Sequence, residues 1–319
     1  MYKLGIDLGG TNIVAGIVDE NYKIIATAKR KTNMPRPTKD VLDDMAAAAL
    51  EAIENAGLKI EDIEAAGVGS PGSIDPVNGI VCYANNLGFF DVPMAKELSD
   101  RTGIDFYLEN DANAAAYGEF IAGAGKGTNN FVMITLGTGV GGGVIIDGKI
   151  FAGSNYAGTE LGHTVIAMDG EICTCGRHGC WEAYASATAL IRQTKQAMIK
   201  YADSIMWKLC GGDINAVNGV TAFDAMRKGD TAGKAVVDKY IYYIGVGIAN
   251  NINIFQPEVI AIGGGISKEG DNLILPLKEF VKGENYARNI EKKAEIKTAD
   301  LGNDAGIIGA AYLCNLYKQ

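Results

Sequence analysis

An apolar run from Leu4 breaks at Gly9-Gly10 and resumes from Ile13 to Val18, after which the polar turn Asp19-Glu-Asn21 leads into Lys23 to Thr27. Short apolar segments separated by glycine and polar turns predict a three-strand antiparallel meander. The same succession returns later: Val132 to Leu136, a glycine-rich turn from Gly137 to Gly143, Val144 to Ile146, the turn Asp147-Gly148, and Lys149 to Ala152. With Leu8-Gly9 aligned on Leu136-Gly137, the chain reads as an internal duplication whose two glycine turns are expected to face each other across a shared cleft.

Between the repeats, apolar residues at 42, 45, 46, 49, 50 and 53 recur at helical spacing, so Val41 to Ala56 predicts an amphipathic helix stopped by Gly57. Ile63 to Gly69 predicts a strand ending in the turn Ser70-Pro-Gly72, with Asn85-Asn86 beyond it. Ile104 to Leu108 is the next strand, and it delivers Glu109-Asn110-Asp111 to a helix beginning at Ala112. Downstream, Ala183 to Tyr201 predicts one helix and residues 202 to 220 a loop. Thr231 to Phe255 predicts a long helix whose Tyr and Ile stripe suits a core or a subunit interface. Val259 to Ile262 is a strand entering Gly263-Gly-Gly265. The chain closes with a strand from Glu295 to Ala299 and a single helix from Asp304 to Tyr317, whose small residues suit close packing on the first sheet.

Composition narrows the function classes. A 319-residue chain with 48% hydrophobic and 21% charged residues has room for two globular domains. Its net charge of -9 argues against a partner with a phosphate backbone. No apolar run approaches the length of a membrane span, and the N-terminus lacks a charged segment followed by an apolar one. The expected location is the cytoplasm, with Cys82, Cys210 and Cys314 reduced and used in packing.

The glycine turns let backbone N–H groups approach an anion closely, and Thr11 and Asn12 add side-chain donors. Two such turns suggest a nucleotide triphosphate. Residues 137 to 142 also fit the dinucleotide pattern Gly-x-Gly-x-x-Gly, but a strand follows where that pattern requires a helix. Gly123 to Thr128 is not a P-loop, because glycine follows Lys126. Asp111, beside Asn110 at a strand-to-helix junction, can serve as a helix cap or as a general base, and the residues alone leave both open.

Both histidines and three of the six cysteines lie in Glu160-Leu-Gly-His163 and Cys173-Thr-Cys-Gly-Arg-His-Gly-Cys-Trp-Glu182. Three thiolates and an imidazole complete a tetrahedral shell, which reads as a structural zinc site of Cys173, Cys175, Cys180 and either His163 or His178. Such a metal would fix Glu160 and Glu182 in space.

The spacing Cys-x-Cys-Gly-x-x-Gly-Cys-x-Glu after Glu-x-Gly-His resembles the signature of the ROK family of bacterial sugar kinases and sugar-responsive repressors. The segment Asn110 to Glu119 is similar to that family's catalytic segment, and the resemblance runs over essentially the whole chain, closest to the bacterial ROK-type glucokinases. It implies an α/β, duplicated actin/hexokinase-like (ribonuclease H-like) two-domain fold with an interdomain cleft. The expected domains are residues 1–115, completed by the C-terminal helix 304–319, and residues 116–303 with the zinc segment.

Carried over residue by residue, the resemblance makes Asp111 the base for the glucose 6-hydroxyl, and Gly72, Asn110, Glu160, His163 and Glu182 the other sugar ligands. It places ATP on Gly9, Gly10, Thr11 and Asn12, on Gly137, Thr138 and Gly139, and on Gly263, Gly264 and Gly265. Asp7 would stand near Mg²⁺, and zinc would be held by His163, Cys173, Cys175 and Cys180. The implied activity is ATP-dependent glucose phosphorylation by a homodimer, with kinases of N-acetylmannosamine or N-acetylglucosamine as the alternative. Family repressors carry a DNA-binding domain ahead of the first turn, and a strand starting at Tyr2 is expected to leave no room for one.

Overall fold

Strand β1 (Tyr2–Leu8) is buried along most of its length because both of its faces are covered. In the computed structural model, which describes residues 1–318, it pairs antiparallel with β2 (Asn12–Val18), and β2 pairs antiparallel with β3 (Ile24–Lys31). Helix α1 (Thr38–Asn55) lays Val41, Leu42, Met45, Ala49 and Ile53 on this sheet, a stripe at helical spacing, and the chain leaves it through Gly57 at a φ of 69°. Strand β4 (Ile63–Ser70) runs parallel to β1. A small antiparallel sheet follows, β5 (Ser73–Asp75), β6 (Ile80–Ala84) and β7 (Phe89–Val92), which the hydrophobic pattern did not predict. Helix α2 (Met94–Thr102) then leads to β8 (Phe106–Asn110), parallel to β4, and to helix α3 (Asp111–Ala122).

The second five-stranded sheet is built from β9 (Phe131–Leu136), β10 (Val140–Ile146), β11 (Lys149–Ile150), β12 (Val259–Gly263) and β13 (Glu295–Thr298). Its order, β11-β10-β9-β12-β13, matches β3-β2-β1-β4-β8 position for position, and β12 with β13 is parallel as β4 with β8 is. The duplication expected from the repeated glycine turns is therefore present in the strand order.

The expected helix from Ala183 to Tyr201 is two helices, α4 (Glu182–Ala185) and α5 (Ala187–Lys200). Ser186 is extended between them, and its hydroxyl accepts the Ala189 N–H, which starts a new helix. The stretch 202 to 220, expected to be a loop, contains α6 (Met206–Leu209) and a 3₁₀ turn. Helices α7 (Thr221–Arg227) and α9 (Asp271–Glu284) flank α8 (Thr231–Phe255), whose bounds agree with the expectation.

The last expected helix is also broken, into α10 (Asp304–Ala311) and α11 (Cys314–Tyr317). Tyr312 and Leu313 close tighter turns onto Gly309 and Ala310, while the Tyr312 hydroxyl is drawn off to the Asp19 carbonyl at 2.7 Å. Contacts divide the chain into two units: 1–131 with 143–159 and 300 onward, and 132–142 with 160–299. Among the described residues no helix is long and apolar enough to cross a membrane.

Within the first unit, α10 lies backbone to backbone on β1, β4 and α3. A Cβ on Gly67 would meet the Ala310 carbonyl oxygen at 2.0 Å, and one on Gly309 would meet that of Ala114 at 1.7 Å. Neither neighbour is a flexible side-chain end, so a methyl group must move a helix. Gly67→Ala is expected to destabilise the protein by about 1–3 kcal/mol or more in urea denaturation. A loss below about 0.5 kcal/mol, the range of ordinary surface changes, would refute this close approach.

Candidate active-site residues

In the first unit, the parallel strands β1, β4 and β8 end on the same side of their sheet, the usual edge for ligands in α/β sheets. Asp7, Ser70 and Asn110 stand at those ends. The β1–β2 turn is closed by the Gly9 N–H on the Asn12 carbonyl at 2.8 Å. Thr32 braces it from β3's end, its hydroxyl donating to the Gly9 carbonyl at 2.7 Å and its N–H to that of Thr11 at 2.9 Å.

Beside this turn lies a cavity of about 460 Å³ lined by Asp7, Gly9, Gly10, Thr11 and Asn12. Lys29, Asn303 and Asp304 complete its wall, three residues to which sequence reasoning assigned no role. The start of helix α10 at Asp304 was the signal available, since a helix N-terminus favours anions. Among the described residues the Asn12 amide oxygen is buried there without a protein partner. Glycine N–H groups and Lys29 suit phosphate, and the carboxylates of Asp7 and Asp304 suit a hard cation such as Mg²⁺.

Asp7 is pushed up to about 6 by burial and then by the negative charge of Asp111. Asp111 is itself raised, chiefly by burial, against an opposing hydrogen bond from the Ala112 N–H at 2.9 Å. The helix cap is Asn110: its side-chain oxygen accepts from the N–H of Ala112 at 2.9 Å and of Asn113 at 3.3 Å. Asn110 Nδ2 also donates to the Gly72 carbonyl at 3.1 Å, which joins two expected sugar ligands. Gly72 has a φ of 101°, and a Cβ there would lie 2.0 Å from the Tyr83 carbonyl oxygen, so the position admits only glycine. Asn85 and Asn86 form a short 3₁₀ turn at the end of β6.

Glu109, which sequence reasoning passed over, is buried directly behind this pair. It accepts from the Asn110 N–H at 2.8 Å, from Asn113 Nδ2 at 3.1 Å and from the Tyr317 hydroxyl, while burial holds its pKa up.

In the second unit, His163, Cys173, Cys175 and Cys180 converge, their ligand atoms all within 4.8 Å of one another. Cys175 Sγ lies 3.7 Å from Cys180 Sγ, and Cys173 Sγ 3.6 Å from His163 Nδ1. Metal–sulfur bonds of about 2.3 Å arranged tetrahedrally require edges of roughly 3.7 Å, so the four residues fit a zinc-sized ion. His178, the other histidine the residues allowed, is turned away, with Nδ1 2.9 Å from the Gly170 carbonyl oxygen. Trp181, between Cys180 and Glu182, is fully buried: its Nε1 donates to the Tyr243 carbonyl at 2.8 Å, and its ring fills the space a side chain would need at Gly247 on α8.

Glu182 accepts from the Val140 N–H at 3.0 Å and the Thr174 hydroxyl at 3.0 Å. It therefore joins the cysteine segment to the turn Gly137-Thr138-Gly139, a link no spacing signalled. That turn is fixed again where Ala187 N–H and the Thr188 hydroxyl donate to the carbonyls of Gly137 and Thr138, each at 2.8 Å. Gly264, at a φ of 84°, passes so near the Leu136 carbonyl that a Cβ would come within 2.5 Å of its oxygen, which sets Gly263 to Gly265 beside the end of β9. Glu160 is exposed just before the short turn Leu161–His163.

The signature of the ROK family matches residues 3–316. The chain is 40% identical over 309 residues to the glucokinase of Thermotoga maritima, covering 97% of this chain and 95% of that protein. It is 36% identical over 314 residues to the glucokinase of Streptomyces coelicolor, covering 97% and 96%. Among solved structures it resembles a ROK family glucokinase from Streptomyces griseus in complex with glucose and AMPPNP, with a TM-score of 0.80 and 34% identity over the full length of both chains.

The elevated Asp7 has a thermodynamic consequence. A carboxyl that titrates near 6 when folded and near 3.8 when unfolded binds protons more readily in the native state, so its contribution to stability falls from about pH 4 to pH 6 and stays low above that. Asp7→Asn is expected to stabilise the ligand-free protein at pH 7.5 by on the order of 1–3 kcal/mol, a gain that shrinks as the pH approaches 4. A gain equal at both pH values, read by urea denaturation, would show that the Asp7 charge is not the source.

Proposed function

The chain belongs to the ROK family, and on that premise we propose that it catalyses ATP-dependent phosphorylation of glucose at the 6-hydroxyl. Its fold is that of the actin/hexokinase-like sugar kinases. The observation that carries the chemistry is the division of labour at the start of α3: Asn110 takes the cap, and Asp111 keeps a half-buried carboxylate of raised basicity. The choice of glucose rests on the near-full-length likeness to glucokinases.

Asp111 accepts the 6-hydroxyl proton as the sugar oxygen attacks the γ-phosphorus and the bond to the β-phosphate oxygen breaks. A base of this kind contributes roughly 10²–10⁴ in rate. Most of the remaining acceleration in phosphoryl transfer comes from positioning and charge neutralisation. In the first unit, Gly9 to Asn12 and Lys29 bind phosphate oxygens, and Asp7 with Asp304 would hold Mg²⁺, which neutralises charge on the phosphates. Asn110 binds a neighbouring sugar hydroxyl, with Gly72 fixing its amide.

In the second unit, Gly137 to Gly139 bind phosphate and Gly263 to Gly265 border the nucleoside. Glu160, His163 and Glu182 hold sugar hydroxyls. Zinc on the three cysteines and His163 Nδ1 would leave Nε2 of the same ring free to bond the sugar, and would lock the backbone that carries both glutamates.

Turnover on glucose, mannose, N-acetylmannosamine and N-acetylglucosamine, measured with Asp111→Asn alongside, tests this reading. Glucose is expected to be preferred, and the variant to lose about 10²-fold or more in kcat. Preference for an acetamido sugar would overturn the substrate, and a variant with unchanged kcat would overturn the base. Verified removal of zinc is expected to weaken glucose binding while ATP binding persists. Unchanged glucose affinity in the metal-free protein would refute the anchoring role.

A further inference from the structure

Away from the residues with assigned roles, the second unit contains a cavity of about 270 Å³ at the junction of α8, α9 and β13. Its floor is apolar, formed by the buried side chains of Ile252, Val281 and Ile296. Its rim is cationic. Lys278 and Lys282 stand one turn apart on α9, and Arg288 and Lys293 come from the segment leading to β13, against a single carboxylate, Glu295.

A chain with a net charge of -9 does not gather four cations around one hollow by composition alone. Neighbouring acids do not neutralise them. Among the described residues Lys278, Arg288 and Lys293 form no ion pair, and the Arg288 guanidinium bonds only the Gly283 carbonyl, at 3.1 Å. Lys282 pairs with Glu279 where both side chains are more than 60% exposed, an arrangement worth little. Glu295 stands 3.7 Å from Lys297.

An apolar floor beneath uncompensated cations is complementary to a molecule with a hydrocarbon body and an anionic head. We propose that this cavity binds a small amphiphilic anion, a carboxylate, sulfonate or phosphate on a short hydrocarbon. Its volume falls just below the range of roughly 300–1,000 Å³ typical of small-molecule pockets, which limits the occupant's size. An inorganic anion would leave the floor uncovered, and a neutral hydrocarbon would leave the cations unused. A fitting occupant touches α8, α9 and β13 at once, so binding also raises thermal stability by mass action.

Octanoate is the probe, titrated calorimetrically into the full chain beside acetate, 1-octanol and octylammonium. The expected result is one octanoate per chain, with the comparators at least about tenfold weaker, and an affinity that falls as salt is raised. The double variant Lys278→Glu, Lys282→Glu is expected to lose octanoate binding by at least about tenfold, with its circular dichroism unchanged. Equal binding of octanol, insensitivity to charge reversal and salt, or no saturable octanoate binding would each overturn the proposal. Should the double variant fail to fold, the single changes Lys293→Gln and Arg288→Gln with the wild-type salt dependence decide it in the same way.

Discussion

The first unit depends on the close approach of one helix backbone to its neighbours. Helix α10 can rest on β1, β4 and α3 only because glycines at 5, 67 and 309 remove the side chains that would hold the carbonyls of Ile307, Ala310 and Ala114 away. Interiors are packed densely enough that a displacement here is not absorbed locally. The same helix begins at the cavity wall, where a Cβ on Gly306 would lie 3.3 Å from the Asp7 carboxyl carbon, and its neighbour α3 begins at Asp111. Core packing and the positions of two acidic groups are thus consequences of one geometric requirement.

Buried carboxylates in this unit differ in how they are satisfied. Glu119, fully buried, accepts the backbone N–H groups of Ala124, Asp300 and Leu301, so it holds the entry to α10 as a structural anion. Glu109 is likewise surrounded by donors, including a hydroxyl from the last helix. Asp7, only half-buried, has no such set among the described residues. Burial and a like charge raise it instead, the condition under which a cation gains most by binding. The contrast separates carboxylates that hold the fold from those available for chemistry.

The second unit solves a similar positioning problem with cysteines. In this short, loop-rich segment four ligand atoms converge, and a metal held by them would supply a constraint that a larger core otherwise provides. Trp181 anchors the segment to α8, and Glu182 passes its order to the adjacent glycine turn through the Val140 N–H.

Local signals were legible in the sequence: the repeated meanders, the α1 stripe, the span of α8 and the Cys-x-Cys spacing all follow from periodicity, turn residues and ligand count, which depend on near neighbours along the chain. What those signals left open was settled by contacts distant in sequence. The choice of Asn110 over Asp111 as the cap came with a bond to Gly72, and that of His163 over His178 with the approach of Cys173, ten residues away. The break at Tyr312, the link from Glu182 to Val140 and the arrival of Lys29, Asn303 and Asp304 at one cavity have the same origin. Periodicity and spacing determine which face of an element is apolar and which residues can act together. Only packing decides which polar group loses its water and must find a partner in the protein, and therefore which carboxylate is left free.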